Sequence, residues 1–461
     1  MSIARIAGPL VVLLLVSLTT SSVLADDLAD RVNRLAQPYV DSGVVVGMTV
    51  GVVHNDETVV LGYGRMASDG DQTPDGDTLY EIGSITKVFT GILLADAVEQ
   101  GRVKLVQPAG ELLPDGVTMP ARGDHQILLR HLATHSSGLP RIPFNMPRQD
   151  PTNPYADYTV EQLHDFLGRY RLYREPGERA EYSNLGMGLL GHLLALEAEK
   201  SYEELLQDRI AGPLGLSDTR ITLSEDQKSR LAQPHNADGD AATNWDLPTL
   251  AGAGGIRSTA SDMLKLASAA LSPPEGEIGE ALELSWKEHQ PPLSAGDFSM
   301  GLAWHIARDG TTRWHNGQTG GYHSAMFVNR DINAAVVVLS NTATGELDVL
   351  AEQTIQMLAG VKVEPRKFEK PIQVDQAVLD RYVGRYQLAP VFALDVTSDD
   401  GKLYVQGTGQ GKARVHPRSE TEWFYKVVDA KIVFEVDDEG NCTSLTLHQN
   451  GLKLPAKRIE E

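Results

Sequence analysis

Cysteine and basic residues are both scarce in this chain of 461 residues. Cys442 is the only cysteine, so no intramolecular disulfide can form and no cysteine near the start can carry a lipid. The chain has 41 lysines and arginines against 62 acidic residues, and its net charge of -21 argues against nucleic acid as a partner. Two catalytic signatures are also missing. Without a Gly-x-Ser-x-Gly or a His-Glu-x-x-His sequence, a standard α/β-hydrolase and a zinc site of that kind are disfavoured.

Long apolar runs are lacking after the first 25 residues. The start itself has the pattern of a secretory signal. Arg5 supplies a positive charge, Leu10–Val16 is almost wholly aliphatic, and Val23-Leu24-Ala25 precedes a cleavage point before Asp26. Because the apolar stretch is short for a bilayer, cleavage is favoured over retention as an anchor. We therefore expect residues 1–25 to be removed, leaving no stable membrane span, and the protein to be exported to the periplasm or secreted.

The length of the chain exceeds what one hydrophobic core usually serves, and its composition changes near the end. We predict a main domain over residues 26–362, a charged, proline-flanked linker over 363–371, and a second domain over 372–461. Alternating apolar residues and Asp/Gly/Asn turns in the last segment indicate a small antiparallel β domain.

The order of elements predicts an α+β fold for the main domain. A strand, turn and strand over 44–64 open it, and the spacing predicts a helix over Ser84–Gln100 with its apolar residues on one face. A mostly helical block follows over 126–218, and strands return after residue 300 before a last helix over Asp348–Leu358. The expected architecture is one antiparallel sheet flanked by helices with an all-helical lobe beside it. The active site would lie in the cleft between sheet and lobe.

Three short motifs carry the chemistry: Ser84-Ile85-Thr86-Lys87, Tyr182-Ser183-Asn184 and His315-Asn316-Gly317. A serine hydroxyl is a weak nucleophile and needs a neighbouring base. Lys87 lies one helical turn from Ser84, and its pKa would fall if it were shielded from water. A Tyr182 phenol near two cations would lose its proton more readily and could move the serine proton. The sequence leaves open which of Lys87 and Tyr182 is the base.

Backbone donors complete the expected site. Ser84 stands at a helix start, so its N–H can form half of an oxyanion hole, and the N–H of Gln318 would form the other half. Gly317 would let the substrate backbone approach closely. We expect Asn184 to bond Lys87 and the acyl amide of the substrate, and His315 to lie near Tyr182 and influence its charge.

Several residues receive a structural interpretation. His131 and His135, in LRHLATHSSGLP, are expected to be structural because no acid or third histidine has ligand spacing. The sequence indicates no metal site and no cofactor. The three motifs therefore predict a serine hydrolase that cleaves a small amide, peptide, lactam or ester through an acyl-Ser84 intermediate. The alternatives are a non-catalytic acyl-binding or penicillin-binding sensor and an envelope interaction protein.

The motifs and their surroundings also resemble a known family, that of class C β-lactamases and D-alanyl-D-alanine carboxypeptidase-like serine hydrolases, which includes D-aminopeptidases and esterases. The resemblance covers about residues 40–358 and depends on YEIGSITKVFTG, LLRHLATHSSGLP, PGERAEYSNLGMGLLG, PLGLSDT, AGGIRSTASDM and WHNGQTGGYHS. It implies the β-lactamase/transpeptidase-like fold, acylation of Ser84, proton transfer by Lys87 and Tyr182, and a YxN asparagine at Asn184. Residues 372–461, with YVGRYQL and LTLHQNG, resemble the β-rich domain often appended to such hydrolases.

One motif departs from the family pattern. Class C β-lactamases usually carry Lys-Thr-Gly where this chain has His315-Asn316-Gly317. A lysine gives a permanent charge for the carboxylate of a β-lactam, whereas histidine is mostly neutral at pH 7. The resemblance therefore favours a peptidase, amidase or esterase, among which His-x-Gly is common, over an efficient β-lactamase.

Overall fold

A computed structural model describes residues 17–55, 57–147, 149–426 and 428–459, with side chains of the first helix described from Leu28 onward. The predicted signal sequence, residues 1–25, lies largely outside the described residues. The chain divides into two compact units. The first comprises the chain up to Gln37, Val46–Asn236 and Ala241–Pro365. The second comprises Pro38–Val45, Ala237–Asp240 and the chain from Arg366 onward.

The strands up to residue 340 all belong to antiparallel ladders. In chain order they are β1 Gly47–His54, β2 Glu57–Gly64, β3 Leu79–Glu81, β4 Ala121–Arg122, β5 His125–Gln126, β6 Arg257–Thr259, β7 Ser299–Met300, β8 His305–Ile306, β9 Thr312–Gln318, β10 His323–Asn329 and β11 Ala334–Ser340.

The helices up to residue 358 vary from single turns to long segments. In chain order they are α1 Ser17–Asp41, α2 Thr86–Glu99, α3 Leu129–Ala133, α4 Val160–Arg169, α5 Asn184–Glu197, α6 Tyr202–Leu206, α7 Gly212–Leu214, α8 Glu225–Ser229, α9 Ala251–Gly254, α10 Ala260–Leu271, α11 Glu277–Trp286 and α12 Glu346–Leu358. Gly83–Ile85 and Ala109–Leu112 form 3-10 turns, and Gln207–Ala211 forms a π-helical turn. No helix among the described residues has the length and apolar character needed to cross a bilayer.

The main sheet of the described chain has seven strands in the order β2-β1-β11-β10-β9-β8-β7. The opening hairpin therefore pairs with the last strand of the sheet, with Val50 opposite Val338. Strands β10 and β11 are buried along their whole length, which requires cover on both faces. Helices α10 and α12 pack against these strands. The predicted α+β architecture, an antiparallel sheet with flanking helices, is confirmed.

Helix α2 differs from the expected one-sided helix. Every residue from Thr86 to Ala97 is buried, so the helix has no solvent-facing stripe. It contacts α11, α5 and α9, which surround it. The expectation of a single apolar face was wrong because the helix runs through the core, where a helix is apolar on all sides.

Close packing of α5 and α9 brings a backbone carbonyl to the end of α2. A Cβ atom added to Gly191 of α5 would lie 2.9 Å from the Cα atom of Gly252 in α9. The carbonyl of Gly252 accepts a hydrogen bond from Thr90 of α2 (2.7 Å), and the next carbonyl, that of Ala253, faces Lys87. The absence of a side chain at Gly191 therefore sets where the α9 backbone lies.

The second unit is a closed antiparallel barrel in which eight strands follow helix α13. The elements are α13 Gln376–Tyr382, β12 Gly384–Ala389, β13 Phe392–Asp399, β14 Lys402–Gly407, β15 Lys412–Pro417, β16 Glu422–Phe424, β17 Ala430–Val436, β18 Cys442–Gln449 and β19 Leu452–Ile459. Pairing of Arg385 with Ile459 joins the first and last strands. Tyr382, Trp423 and Phe434 fill the interior. The predicted antiparallel β structure is confirmed, while its closure did not follow from strand patterns.

The contact between α5 and α9 gives a matched pair of substitutions. Gly191→Ala should lower the free energy of unfolding by about 1–3 kcal/mol, because the new methyl group meets backbone atoms that cannot move freely. Gly168→Ala, in exposed positions of α4 with open space around it, should instead raise stability by up to about 1 kcal/mol through helix propensity. Denaturant unfolding of the two variants measures both effects. Equal stabilisation by both substitutions would contradict the close contact.

Candidate active site

Ser84 is held between the sheet and the helices by its neighbours in the chain. The Ile82 carbonyl accepts a hydrogen bond from the Ser324 hydroxyl of β10 (2.7 Å), and the Ile82 N–H donates to the Ile256 carbonyl (3.1 Å). Gly83 then adopts a left-handed backbone with φ of +49°, a conformation that favours glycine. Ser84 follows within the 3-10 turn that leads into α2, and its side chain is half-buried. The nucleophile candidate is thus fixed at both of its flanks.

Lys87 lies one turn from Ser84 and is completely buried. Its Nζ atom is 2.8 Å from Ser84 Oγ and 2.6 Å from the Ala253 carbonyl oxygen. Burial lowers the pKa of Lys87 well below its ordinary value, and the positive charge of Arg141 lowers it further. This agrees with the direction expected from the sequence. A neutral amine here can donate to Ala253 and present its lone pair to the serine proton.

Tyr182 approaches Ser84 from another part of the chain. Its hydroxyl lies 2.7 Å from Ser84 Oγ, and Lys87 Nζ is 4.9 Å from the centre of its ring. The next residue, Ser183, caps α5 by accepting a hydrogen bond from the Gly186 N–H (2.8 Å), which explains why the motif sits at a helix start. The motif and the Ser84 turn are therefore brought together by the packing of α5 beside α2.

The pKa of Tyr182 moves opposite to expectation. Burial raises it to about 12, and the smaller effects of the Ser84 hydrogen bond and the Arg141 charge do not offset that rise. The expectation that nearby cations would help Tyr182 lose its proton was wrong, because burial of the phenol outweighs the charge of Arg141. In the resting site Tyr182 is a phenol and can act as a proton donor.

Asn184 lies beside the Ser84 site, but it does not form the expected bond to Lys87. Its side-chain nitrogen donates to the Tyr155 hydroxyl (3.1 Å), whereas Lys87 contacts Ser84 and Ala253. The side-chain oxygen of Asn184 is buried and has no hydrogen-bond partner among the described residues. A buried, unpaired acceptor is costly unless a ligand or water satisfies it. Asn184 therefore keeps one acceptor that is unpaired among the described residues.

The segment of Gly317 and Gln318 in β9 abuts the Ser84 turn. A Cβ atom added to Gly317 would lie 2.7 Å from the Ser84 backbone nitrogen, and one added to Gly83 would lie 2.7 Å from the Gln318 nitrogen. The two backbone nitrogens expected to bind an oxyanion are thus on adjoining segments. Glycine at 83 and 317 makes this approach possible.

His315 is buried and lies away from the position expected for it. Burial, with further effects from His305 and Lys87, lowers its pKa well below the usual value. Its Nδ1 atom is 2.6 Å from the Asn316 carbonyl, so Nδ1 carries the proton and Nε2 is an acceptor without a partner in the described chain. Its ring is 4.9 Å from that of His305 rather than against Tyr182. The expectation that His315 influences the charge of Tyr182 is not supported.

His135 is the histidine that contacts Tyr182. The two ring centres are 4.5 Å apart, and His135 Nδ1 accepts a hydrogen bond from the Ser183 N–H (3.2 Å). Nε2 must then carry the proton, and it is buried without a partner in the described residues. The expectation that His135 is structural misses this contact with Tyr182. Its position in LRHLATHSSGLP, one of the segments that resemble the family, is the sequence feature that could have indicated a place near the site. His131 of that segment accepts from the Leu128 N–H at the start of α3, a structural role.

The assembled groups can perform acyl transfer. A hydroxyl has an amine and a phenol within hydrogen-bonding distance, and two backbone nitrogens adjoin it. No group of three or more candidate metal ligands occurs among the residues that the structure describes.

Family models, curated proteins and solved structures all include matches to this chain. A model described as Beta-lactamase matches residues 32–359, and one described as a domain of unknown function (DUF3471) matches residues 369–458. The D-alanyl-D-alanine-carboxypeptidase/endopeptidase AmpH of Escherichia coli (strain K12) is 33% identical over 237 residues, which is 51% of this chain and 60% of that protein. The match thus spans less than two thirds of that relative.

A relative matched over more of its length and a solved structure point to the same family. Penicillin-binding protein 4* of Bacillus subtilis (strain 168) is 25% identical over 413 residues, covering 83% of this chain and 88% of that protein. A crystal structure of a Beta-lactamase/D-alanine carboxypeptidase from Yersinia pestis, complexed with citrate, has a TM-score of 0.64 and 26% identity over 73% of this chain and 98% of that one. Because the Beta-lactamase model covers well over half of the sequence, the chain belongs to the beta-lactamase family.

Proposed function

We propose that this protein is a serine hydrolase that cleaves a small amide, peptide, lactam or ester through an acyl-enzyme on Ser84. One observation carries the proposal: Ser84 Oγ lies 2.8 Å from Lys87 Nζ and 2.7 Å from the Tyr182 hydroxyl. An activated nucleophile requires a base within this reach.

Lys87 is the proposed base and Tyr182 the proposed acid. Burial favours the neutral amine of Lys87, which takes the Ser84 proton as Oγ bonds to the substrate carbonyl carbon. The carbonyl oxygen becomes an oxyanion, stabilised by the backbone N–H groups of Ser84 and Gln318; such a donor is typically worth about 10² to 10³ in rate. The Tyr182 phenol then gives its proton to the leaving group as the bond to it breaks. The proton on Lys87 then neutralises the Tyr182 phenolate, whose ring centre lies 4.9 Å from Lys87 Nζ.

Deacylation reverses the roles. With the leaving group gone, water enters, and its proton passes to neutral Lys87 as its oxygen attacks the acyl carbon. The bond to Ser84 Oγ then breaks, and Oγ recovers a proton from Lys87 or from Tyr182. The unpaired Asn184 oxygen and the His135 Nε2–H are available to hold the substrate or the water during these steps.

Within this reaction class, a peptidase, amidase or esterase is favoured over an efficient β-lactamase. His315 stands where a class C β-lactamase usually carries a lysine, and burial keeps His315 neutral, so that motif supplies no fixed charge. The match to a relative named as a carboxypeptidase/endopeptidase supports a peptide substrate.

Export, predicted from residues 1–25, is part of the proposal. The prediction depends on Arg5, the aliphatic run over Leu10–Val16 and the small or apolar residues before Asp26. Expression of the full chain in a bacterium should yield a protein outside the cytoplasm whose mass corresponds to a start at Asp26. Intact-protein mass spectrometry of cytoplasmic and extracytoplasmic fractions measures this. A full-length cytoplasmic product would contradict export while leaving the reaction untouched.

Covalent labelling tests the nucleophile. A fluorophosphonate or a fluorescent penicillin should add mass to the peptide that contains Ser84, and Ser84→Ala should abolish both labelling and hydrolysis. Ser229→Ala, at an exposed position at the end of α8, is the matched control and should be labelled as the wild type is. Hydrolysis by a wild-type protein that never acquires a label would refute the acyl-enzyme. Labelling without hydrolysis would support the non-catalytic acyl-binding sensor, and absence of both would support the envelope interaction protein.

The pH dependence tests the division of labour. Because neutral Lys87 is the base and its pKa is lowered, kcat/KM should rise through one ionisation well below the ordinary lysine value of about 10.4 and then level off. Since Tyr182 must keep its proton and its pKa is about 12, no fall from Tyr182 should occur below about pH 11. Stopped-flow acylation with a p-nitrophenyl ester measures the profile. A rise of kcat/KM near neutral pH that disappears in Tyr182→Phe would assign the base role to tyrosinate instead.

A further inference from the structure

Arg141 is a charged group at the site to which neither the motifs nor the proposed proton transfers give a role. It follows the SGLP sequence, its side chain is exposed, and its guanidinium carbon lies 5.0 Å from the centre of the Tyr182 ring. A cation over an aromatic face is held there by the ring quadrupole. The guanidinium thus stands beside the group that faces Ser84.

The backbone fixes this position. The Pro140 carbonyl accepts a hydrogen bond from the Ser183 hydroxyl (2.7 Å), and the Arg141 carbonyl accepts one from the Leu185 N–H (3.1 Å). Two successive carbonyls of the loop are therefore bonded to the start of α5, on both sides of Asn184. The segment that follows Tyr182 therefore holds the Arg141 backbone beside the Tyr182 ring.

Arg141 has no counter-charge in the described part of the chain. It takes part in none of the ion pairs found there, in contrast to Arg174, which pairs with Glu181. The groups that shift the pKa of Lys87 are burial and Arg141 itself, and no carboxylate raises it. An exposed arginine beside the Ser84 site, with no carboxylate paired to it among the described residues, is matched to an incoming carboxylate, which it can bind with two parallel bonds.

The other basic groups near Ser84 cannot provide that charge. Burial lowers the pKa values of His135 and His315 well below their ordinary values, so both rings are neutral near pH 7. Burial also lowers the pKa of Lys87, and its amine is completely buried against Ser84 and Ala253. Among the described residues around Ser84, the fixed positive charge is then that of the exposed Arg141. This differs from a site whose charge comes from a lysine in the third motif.

We propose that Arg141 is the specificity-determining residue of this site, which binds a carboxylate carried by the leaving group of the substrate. The leaving group is the relevant side because Tyr182, on which Arg141 lies, is the group that protonates it. This inference rests on the proposed function, since it assigns to Arg141 the selection of substrates for the same acyl transfer.

A matched pair of substrates separates binding from catalysis. One is an N-acyl-alanyl ester whose leaving group is a 2-hydroxy acid; the other is the same compound with that carboxyl group methylated, so the scissile bond is unchanged. The wild type should prefer the free acid. Arg141→Gln should reduce kcat/KM for the free acid by about 10- to 100-fold, mainly through KM. The factor by which it reduces kcat/KM for the methyl ester should be several times smaller. Arg141→Lys should be intermediate, because it keeps the charge and loses the paired bonds.

Arg169→Gln is the control variant, since Arg169 is an exposed arginine at the end of α4 that pairs with Asp165. It should leave the preference for the free acid unchanged. Equal losses on both substrates in Arg141→Gln would overturn the inference and show that Arg141 acts through Tyr182. An unchanged preference in Arg141→Gln would overturn it as well.

A second measurement applies even if neither ester is turned over. The free acid should protect Ser84 from an uncharged fluorophosphonate at lower concentrations than the methyl ester does, and Arg141→Gln should remove that difference while Ser84 is still labelled. Equal protection of the wild type by the two compounds would refute the role of Arg141. Failure of Ser84 to react at all would instead count against the proposed function.

Discussion

Burial of one amine beside one hydroxyl is the constraint that organises this site. Lys87 has no exposed surface, and an ammonium group removed from water is strongly destabilised unless a carboxylate compensates it. Here its contacts are the Ser84 hydroxyl and the Ala253 carbonyl, neither of which carries a full charge. The neutral amine satisfies both contacts, one as acceptor and one as donor. The fold therefore maintains a base next to the nucleophile without a neighbouring acid.

Three distant segments cooperate to keep that amine dry. The Ser84 turn is bonded to β10 through Ser324, α9 presents the Ala253 carbonyl because it packs closely on α5, and α5 itself begins at the Tyr182 motif. Helix α2 is buried on every side, which excludes water from Lys87. The same exclusion raises the pKa of Tyr182. One physical cause, desolvation, thus pushes the amine towards a base and the phenol towards an acid.

The parts of the site that depend on spacing along the chain could be predicted, whereas those that depend on burial in the folded protein could not. Ser84 and Lys87 share a helical turn, so their contact follows from the sequence, and the Tyr182 motif was recognisable. The direction of the Tyr182 pKa depends on how deeply the ring is buried, which residue order does not show. The Ala253 carbonyl carries no side-chain signal. His135 and Arg141 belong to a recognisable segment, yet their contacts with Tyr182 form only when the start of α5 packs beside that segment. The closed barrel of the second unit likewise depends on a pairing between strands far apart in sequence.

The protonation state of Lys87 tests the central claim most directly. NMR titration of protein labelled at the lysine ε-carbon, with the Lys87 resonance assigned by its loss in Lys87→Met, reports that state without reference to any substrate. The account predicts that Lys87 takes up its proton only at a pH well below the range in which the exposed lysines titrate. A Lys87 resonance that titrates together with the exposed lysines would contradict the account.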